Sequence, residues 1–379
     1  MNNKRFTPKA ILLTAALSVL CTLGAVALAA WLLLGTPGLA VAAGAAYIKT
    51  AFVGEYDPDA MADSALNAMV ESLGDRWSYY LDAESYEAQQ LRRANAYVGV
   101  GVTVQYTQEG LYIQSVTEGG PAQAAGLLPG ELIVAADGTD LTGENVYNGT
   151  ALIQGEEGTQ VVLTVVDAAG QSRQVTVTRA RLTQDPVQFE LLEGGVGYVA
   201  LANFYEGSAD HVKQAVEQLL EQGATCLLFD MRNNPGGYLD ELTDLLDYLL
   251  PEGPIFSSGG KDGPTDTVYS DASCVDVPMA ALVNGDTYSA AELFAAQLRE
   301  SVGACIAGEP TTGKGYSQQT FWLPGDRALN ISTKTYFTGA GVSLIGTGLT
   351  PDLTVELAGE GDAQRDAAAD YLRQQLSGK

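Results

Sequence analysis

Residues 279–299 read MAALVNGDTYSAAELFAAQLR. The five apolar residues 279–283 have the length and composition of a buried strand, and Asn284-Gly285-Asp286 is strong turn chemistry. Residues 290–299 are rich in good helix formers, with Leu293, Ala296 and Leu298 available to pack inward. One strand–turn–helix unit is therefore predicted here. The same alternation precedes it, with strands over 197–201 and 225–230 and amphipathic helices over 208–222 and 238–250. From residue 187 onward the pattern is that of an α/β domain.

The junction of that unit holds Ser289. A serine at a helix start sees free backbone N–H groups and the positive end of the helix dipole, useful to a nucleophile and to a developing oxyanion. Ser289 with Glu292 three residues on is equally a capping box, which only starts a helix. What turns the balance is the stretch TTGKGYSQ at 311–318. Here Lys314 lies between two glycines, ahead of a strand predicted over 315–323. With a period of two, Lys314, Tyr316 and Gln318 share one face.

A hydroxyl nucleophile needs a base. The chain holds one histidine, His211, in the helix pattern SADHVKQAV on its exposed side, so it is a poor candidate. A lysine serves instead if burial lowers its pKa toward neutrality. A glutamine four residues on can hold the amine without adding charge.

The two motifs together resemble the carboxyl-terminal processing peptidases, also called tail-specific proteases. In that family an S-A-A-E-like turn carries the nucleophile, and a G-K-G-x-x-Q strand carries the lysine and a supporting glutamine. The resemblance implies Ser289 as nucleophile, Lys314 as general base and Gln318 as its orienter, on a crotonase-like core. Tyr288 departs from the family's usual small residue and narrows the pocket. The stretch MRNNPGG at 231–237 resembles the family's D-L-R-N-N-P-G-G motif, and GTGLTPD at 346–352 its closing motif. By the same analogy, N–H groups of Gly236, Gly237 and Ala290 stabilise the tetrahedral intermediate. An ordinary strand-to-helix turn reads identically in sequence.

Residues 97–180 are predicted as a small β-rich module, with strands over 98–106, 111–116, 132–136, 161–166 and 173–178. Its YVGVGV opening, GPAQAAGL helix and PGELI strand resemble a bacterial-type PDZ domain. That resemblance implies β-augmentation: an extended chain pairs beside the loop Val98, Gly99, Val100, Gly101, Val102, whose N–H groups hold a terminal carboxylate. Val100 and Val102 suggest an apolar final residue. The expected partners are therefore protein or peptide substrates with apolar C-terminal tails.

Residues 45–96 carry an amphipathic helical pattern, and LGDRWSYYLDAESY at 73–86 resembles the family's leading segment. Its aromatics suit packing on a neighbouring domain or on a second copy of the chain as a homodimer. A last amphipathic helix is expected within 358–379, with Ala367, Tyr371, Leu372 and Leu376 inward.

Composition narrows the class further. The chain has 379 residues, 20 Lys and Arg against 46 Asp and Glu, and a net charge of −26. Residues 1–50 hold four of the basic residues and no acidic one, leaving 16 against 46, a net of −30, for the remainder. That excludes a general nucleic-acid-binding surface. Residues 10–34 are uncharged and mostly apolar, about 37 Å as a helix, enough to cross a hydrocarbon core. Lys4, Arg5 and Lys9 favour a cytoplasmic 1–9 segment and a catalytic body on the other side of the cell membrane. A cleaved signal peptide is the alternative, disfavoured by the length of the run. Of the four cysteines, Cys226 reads as a buried hydrophobe, and Cys274 with Cys305 could pair outside the cytoplasm. No metal or organic cofactor is expected.

The expected protein is thus a multidomain α/β (α+β) chain: a membrane anchor at 10–34, a helical region at 45–96, a PDZ-like domain at 97–180 and an α/β serine protease domain at 187–357. A catalytically silent PDZ adaptor and an enzyme that uses the same scaffold's oxyanion turn on small acyl substrates are the other readings.

Overall fold

A computed structural model describes residues 8–260, 263–356 and 361–377. The apolar strand Cys226–Asp230, buried throughout, lies inside a six-stranded sheet. In order across the sheet run Val187–Leu192, Val196–Leu201, Cys226–Asp230, Met279–Val283, Cys305–Gly308 and Leu353–Thr354. The first pair is antiparallel and every later pair parallel. Parallel strands with helices on both faces must be apolar on both, which is why the central strands read as continuous hydrophobic runs. Leu227, Phe229, Ala281 and Ile306 pack with the helices Ser208–Glu221, Leu239–Leu249 and Ala290–Val302. The alternate residues Cys226, Leu228, Ala280 and Ala307 face the helix Ala363–Ser377. The mixed α/β class is the one read from the sequence.

A second, antiparallel sheet joins Tyr79–Leu81, Arg327–Thr338, Gly253–Gly259 and Asp266–Ser270, with Tyr316–Leu323 also paired to Arg327–Thr338. The sheet of the β-rich module runs Val102–Thr107, Gly110–Val116, Leu132–Ala136, Gln160–Val166, Ser172–Thr178. Its core is Leu111, Ile113, Ile133, Val161, Leu163 and Val165.

Several expectations shift. The strand expected over 98–106 is two. Ala96–Gly99 pairs with Ala180–Thr183 to form a separate two-stranded neck, and Val102–Thr107 enters the domain's sheet. Gly101, at φ 83°, turns the chain between them. Helical turns at Gly143–Asn148 and Gly149–Ile153 were not anticipated, because their glycines and asparagines read as loop. Residues 45–96 are not one helical region: 45–51 continue the first helix, and Pro58–Glu71 and Ala83–Arg93 flank the strand Tyr79–Leu81. The strand expected over 315–323 begins at Tyr316, leaving Lys314 in the preceding loop, and its register with Arg327–Thr338 shifts between Ser317 and Gln318, skipping Thr333. The last helix turns Ala368, Ala369, Leu372 and Gln364 inward, with Ala367 only half-buried. Gln364 decides that rotation, since its amide bonds the Val355 carbonyl and its oxygen accepts from Arg232. All four cysteines are unpaired.

Among the described residues, 8–66 belong to one compact unit and those from 67 onward to another. The helix Pro8–Ala51 is long and apolar enough to cross a membrane, extends well past residue 34, and is interrupted at Gly35, φ 62°, two residues before Pro37. Lys4 and Arg5, and residues 358–360 and 378–379 of the C-terminal segment, lie outside the described residues.

Candidate active site

Two turns at adjacent sheet strands build the site. After Cys226–Asp230 the chain turns through Asn233-Asn234-Pro235-Gly236-Gly237; after Met279–Val283 it turns through Asn284 to Ser289. The two are stapled together. The N–H of Asn233 donates to Asn284 Oδ1 at 2.9 Å, and Asn284 Nδ2 donates to Asn233 Oδ1 at 2.8 Å. Thr287 Oγ1 donates to the Met231 carbonyl, and the Tyr288 N–H to the Asn234 carbonyl. Asn234 is fully buried, with its Nδ2 on the Leu201 carbonyl. Such a network fixes backbone that propensity alone leaves free.

Ser289 emerges from this knot in an unusual conformation, φ 63° and ψ −125°, immediately before the helix Ala290–Val302. A non-glycine residue held there costs on the order of 1–3 kcal/mol, so the surroundings must over-determine it. They do so through Glu292, whose side chain is fully buried. Its Oε2 accepts the Ser289 N–H at 3.0 Å and the Lys314 N–H at 2.9 Å. Its Oε1 accepts the Gly313 N–H at 2.7 Å and the Thr311 hydroxyl at 2.5 Å. Burial raises its pKa above the ordinary carboxylate range, and these four donors act against that rise. One carboxylate thus holds both the serine and the backbone of the lysine loop. The capping box seen in sequence accounts for one of the four bonds; the other three come from a loop about twenty residues away.

Ser289 and Lys314 line the same cleft, about 760 Å³, with Trp77, Tyr288 and Tyr336. The Lys314 Nζ stands 4.9 Å from the centre of the Trp77 ring and 5.8 Å from that of Tyr288. Desolvation pushes its pKa down from 10.5 to about 8; Arg93 adds to that, and Asp75 and Glu292 oppose it. For Asp75, burial alone raises the pKa, yet hydrogen bonds from Ser78, Ser332 and the Trp77 N–H hold it below its usual value, with the charge of Lys314 helping. The Tyr336 phenol donates to the Lys314 carbonyl and lies within hydrogen-bonding reach of Ser289; burial drives its pKa up. Asp75, Trp77, Arg93 and Tyr336 were not singled out as site residues. The segment 73–86 was noted, but nothing in its pattern says that it lines the cleft.

Gln318 also lines the cleft, but its Nε2 is bonded to the Tyr316 carbonyl at 3.0 Å and to Ser332 Oγ at 3.1 Å. Its carbonyl oxygen is the atom left to accept from an ammonium. Gly236, at φ 78°, is pressed on the serine turn: a Cβ there would stand 2.7 Å from the Ala290 nitrogen and 2.8 Å from Ser289 Cβ. Its own N–H is taken by Asn234 Oδ1. The N–H groups of Gly237 and Ala290 donate to no other group among the described residues. His211 lies outside the cleft, half-buried, 2.7 Å from Asp185.

In the β-rich module, Val98 and Gly99 belong to the neck strand, paired with Arg181 and Ala180. Val100, Gly101 and Val102 form the turn into the strand Val102–Thr107, which is the edge of its sheet. The Val100 carbonyl accepts from Ala122 and the Gly101 carbonyl from Thr117. Tyr106 stacks on Tyr147 with centroids 5.8 Å apart and reaches Thr150, closing one end of the space between strand and helix.

The sequence profile of peptidase family S41 matches residues 195–355, and that of the PDZ domain matches 112–167. The carboxyl-terminal-processing protease of Synechocystis is 30% identical over 325 residues, covering 82% of this chain and 76% of that protein. Carboxyl-terminal-processing peptidase 2, chloroplastic, of Arabidopsis thaliana is 31% identical over 305 residues, 76% of this chain. The chain spans 59% of the length of that relative. The solved structure of the photosystem II D1 C-terminal processing protease aligns with a TM-score of 0.50 at 28% identity, over 82% of this chain and 85% of that one. The chain belongs to peptidase family S41 and, within it, to the carboxyl-terminal processing peptidases: a serine-type peptidase core joined to a PDZ domain.

Proposed function

We propose that the protein is a membrane-anchored serine endopeptidase that captures the C-terminal tails of protein substrates on its PDZ domain and cleaves them with a Ser289–Lys314 dyad. The observation that carries this reading is the shared buried carboxylate of Glu292, which fixes the nucleophile's turn and the lysine's loop on one cleft. The neutral Lys314 amine accepts the Ser289 hydroxyl proton as Oγ attacks the scissile carbonyl. The oxyanion forms against the N–H groups of Gly237 and Ala290, at the positive end of the helix Ala290–Val302. The lysine then returns the proton to the leaving amine, and water, activated by the same amine, hydrolyses the acyl-serine. Gln318, by accepting through its carbonyl oxygen, positions the amine between these roles.

The open edge strand Val102–Thr107 offers backbone groups for an incoming tail, and the Val100–Val102 turn faces its terminus. Anchoring rests on the helix Pro8–Ala51, and the basic residues before it favour the catalytic body outside the cytoplasm.

The test uses the protein lacking residues 1–51, an unstructured substrate ending in apolar residues, and mass spectrometry of the products. Cleavage that disappears in Ser289→Ala and in Lys314→Ala supports the dyad. Tail binding without cleavage by the unsubstituted protein would favour a silent adaptor instead.

A further inference from the structure

The acidic excess of this chain makes its unpaired cations conspicuous. With 46 acidic and 20 basic residues, a surface arginine has carboxylates in abundance, and several take them. Arg173 sits on Glu131, Arg232 on Asp230 and Asp362, Arg365 on Glu190, and Arg373 on Asp370. Arg179 donates to backbone carbonyls and to Thr159 instead, Arg181 also lacks a carboxylate, and three further arginines without one stand together. Arg76, Arg92 and Arg93 have no carboxylate within ion-pair distance, and their guanidinium groups donate no hydrogen bond, among the described residues. All three line the cleft that holds Ser289 and Lys314.

Aromatic rings hold two of them in place without neutralising them. The Arg76 guanidinium lies 4.1 Å from the centre of the Trp77 ring, and that of Arg93 5.7 Å from the centre of the Tyr238 ring. Arg92 and Arg93 end the helix Ala83–Arg93, where its carbonyl end favours cations. That explains their tolerance there, but not why no carboxylate accompanies them. Asp240 is the single acidic residue lining the cleft, and it pairs with none of them. Arg93 also acts on the base, lowering the pKa of Lys314. Three guanidinium groups around one concave site, joined by the Lys314 ammonium when it is protonated, focus a positive potential inside a strongly negative molecule.

We propose that Arg76, Arg92 and Arg93 form a carboxylate-binding subsite of the catalytic cleft. Substrates that carry a carboxylate within a few residues of the scissile bond are then preferred. The proposal rests on the peptidase reading above and names the substrate class of the same site. A guanidinium pairs with a carboxylate in a planar fork, so the shared chemistry is the carboxylate itself, from an Asp or Glu side chain or from a chain terminus.

The test compares kcat/KM for matched peptides: Glu against Gln at each position flanking the cut, and a free C-terminal acid against its amide. The expected acid-to-neutral ratio in the unsubstituted protein is about tenfold at low salt, the scale of one charge-assisted hydrogen bond. It should shrink in high salt as the charges are screened. In Arg92→Gln/Arg93→Gln the ratio should fall toward one, and Arg93→Lys should restore part of it. Dependence on Glu identifies a side-chain carboxylate; dependence on the terminal acid alone identifies the chain end. A terminal preference that survives the arginine substitutions belongs to the PDZ domain and overturns the assignment. A ratio of one in the unsubstituted protein also overturns it, while leaving the peptidase reading intact. If no peptide is cut, fluorescence anisotropy on Ser289→Ala reads binding alone, and equal affinity for Glu and Gln peptides sinks the subsite.

Discussion

The cleft around Ser289 and the PDZ edge around Val102 are both places where a peptide is expected to lie, yet they are built in opposite ways. At the cleft the backbone of the serine turn and of the lysine loop is tied down by named hydrogen bonds. Four donors converge on Glu292, two asparagines lock the adjacent turns, and a strained serine is held by the sum. At the PDZ edge, the strand Val102–Thr107 is paired on one side, and the domain is tied to the core by the two-stranded neck Ala96–Gly99 and Ala180–Thr183. Chemistry needs fixed geometry, because a misplaced group forfeits transition-state stabilisation. Recognition by strand addition needs free backbone groups, which a finished network would consume.

This contrast can be broken most forcefully at the serine. Ser289→Ala should lower kcat by at least about a thousandfold while tail binding persists, measured as turnover and as peptide affinity on the same protein. Next is Glu292→Gln, which places an amide N–H₂ where two backbone donors now point. We expect kcat to fall by about tenfold to a hundredfold, with a loss of stability of roughly 1–3 kcal/mol in chemical denaturation. An unchanged kcat would show that the serine turn does not depend on its clamp.

The pH profile sharpens the same point. Only the neutral Lys314 can accept a proton, so kcat/KM should rise as pH increases through about 8. Arg93→Gln removes a charge that lowers this pKa and should move the inflection to higher pH. Asp75→Asn removes one that raises it and should move the inflection lower. Shifts in the same direction for both would contradict the electrostatic account. At the PDZ edge, Val102→Asp should raise KM for tailed substrates by a few-fold to tenfold, with kcat retained. The smallest effect is expected from deleting residues 1–51: loss of vesicle association, with turnover in solution within about twofold.

The strand–turn–helix unit at 279–299 and the glycine turn at 231–237 are legible because their apolar runs and turn residues are local signals. Ser289 and Lys314 stand out for the same reason, each within a short motif. Asp75, Trp77 and Arg93 do not, since a short aromatic-rich helix and a basic helix end look alike wherever they dock. Period-two counting placed Lys314, Tyr316 and Gln318 on one face; Lys314 and Gln318 do line one cleft, but Lys314 stands in the loop ahead of the strand and Tyr316 does not line it, and the register of that strand shifts at Thr333 of its partner. Bulges answer to the partner strand, here Arg327–Thr338, which lies beyond any local window.

By itself, then, the sequence determined the class of the core, the sites of its sharp turns, the apolar amino-terminal helix and the candidate nucleophile and base. These follow from side-chain size, polarity and spacing within a few residues. Tertiary structure alone decided that one buried glutamate would hold serine and lysine together, that Gly236 would spend its N–H on Asn234, and that three arginines would be left without carboxylates around the same cleft. Each depends on which distant segments meet, and that is settled by packing the whole core.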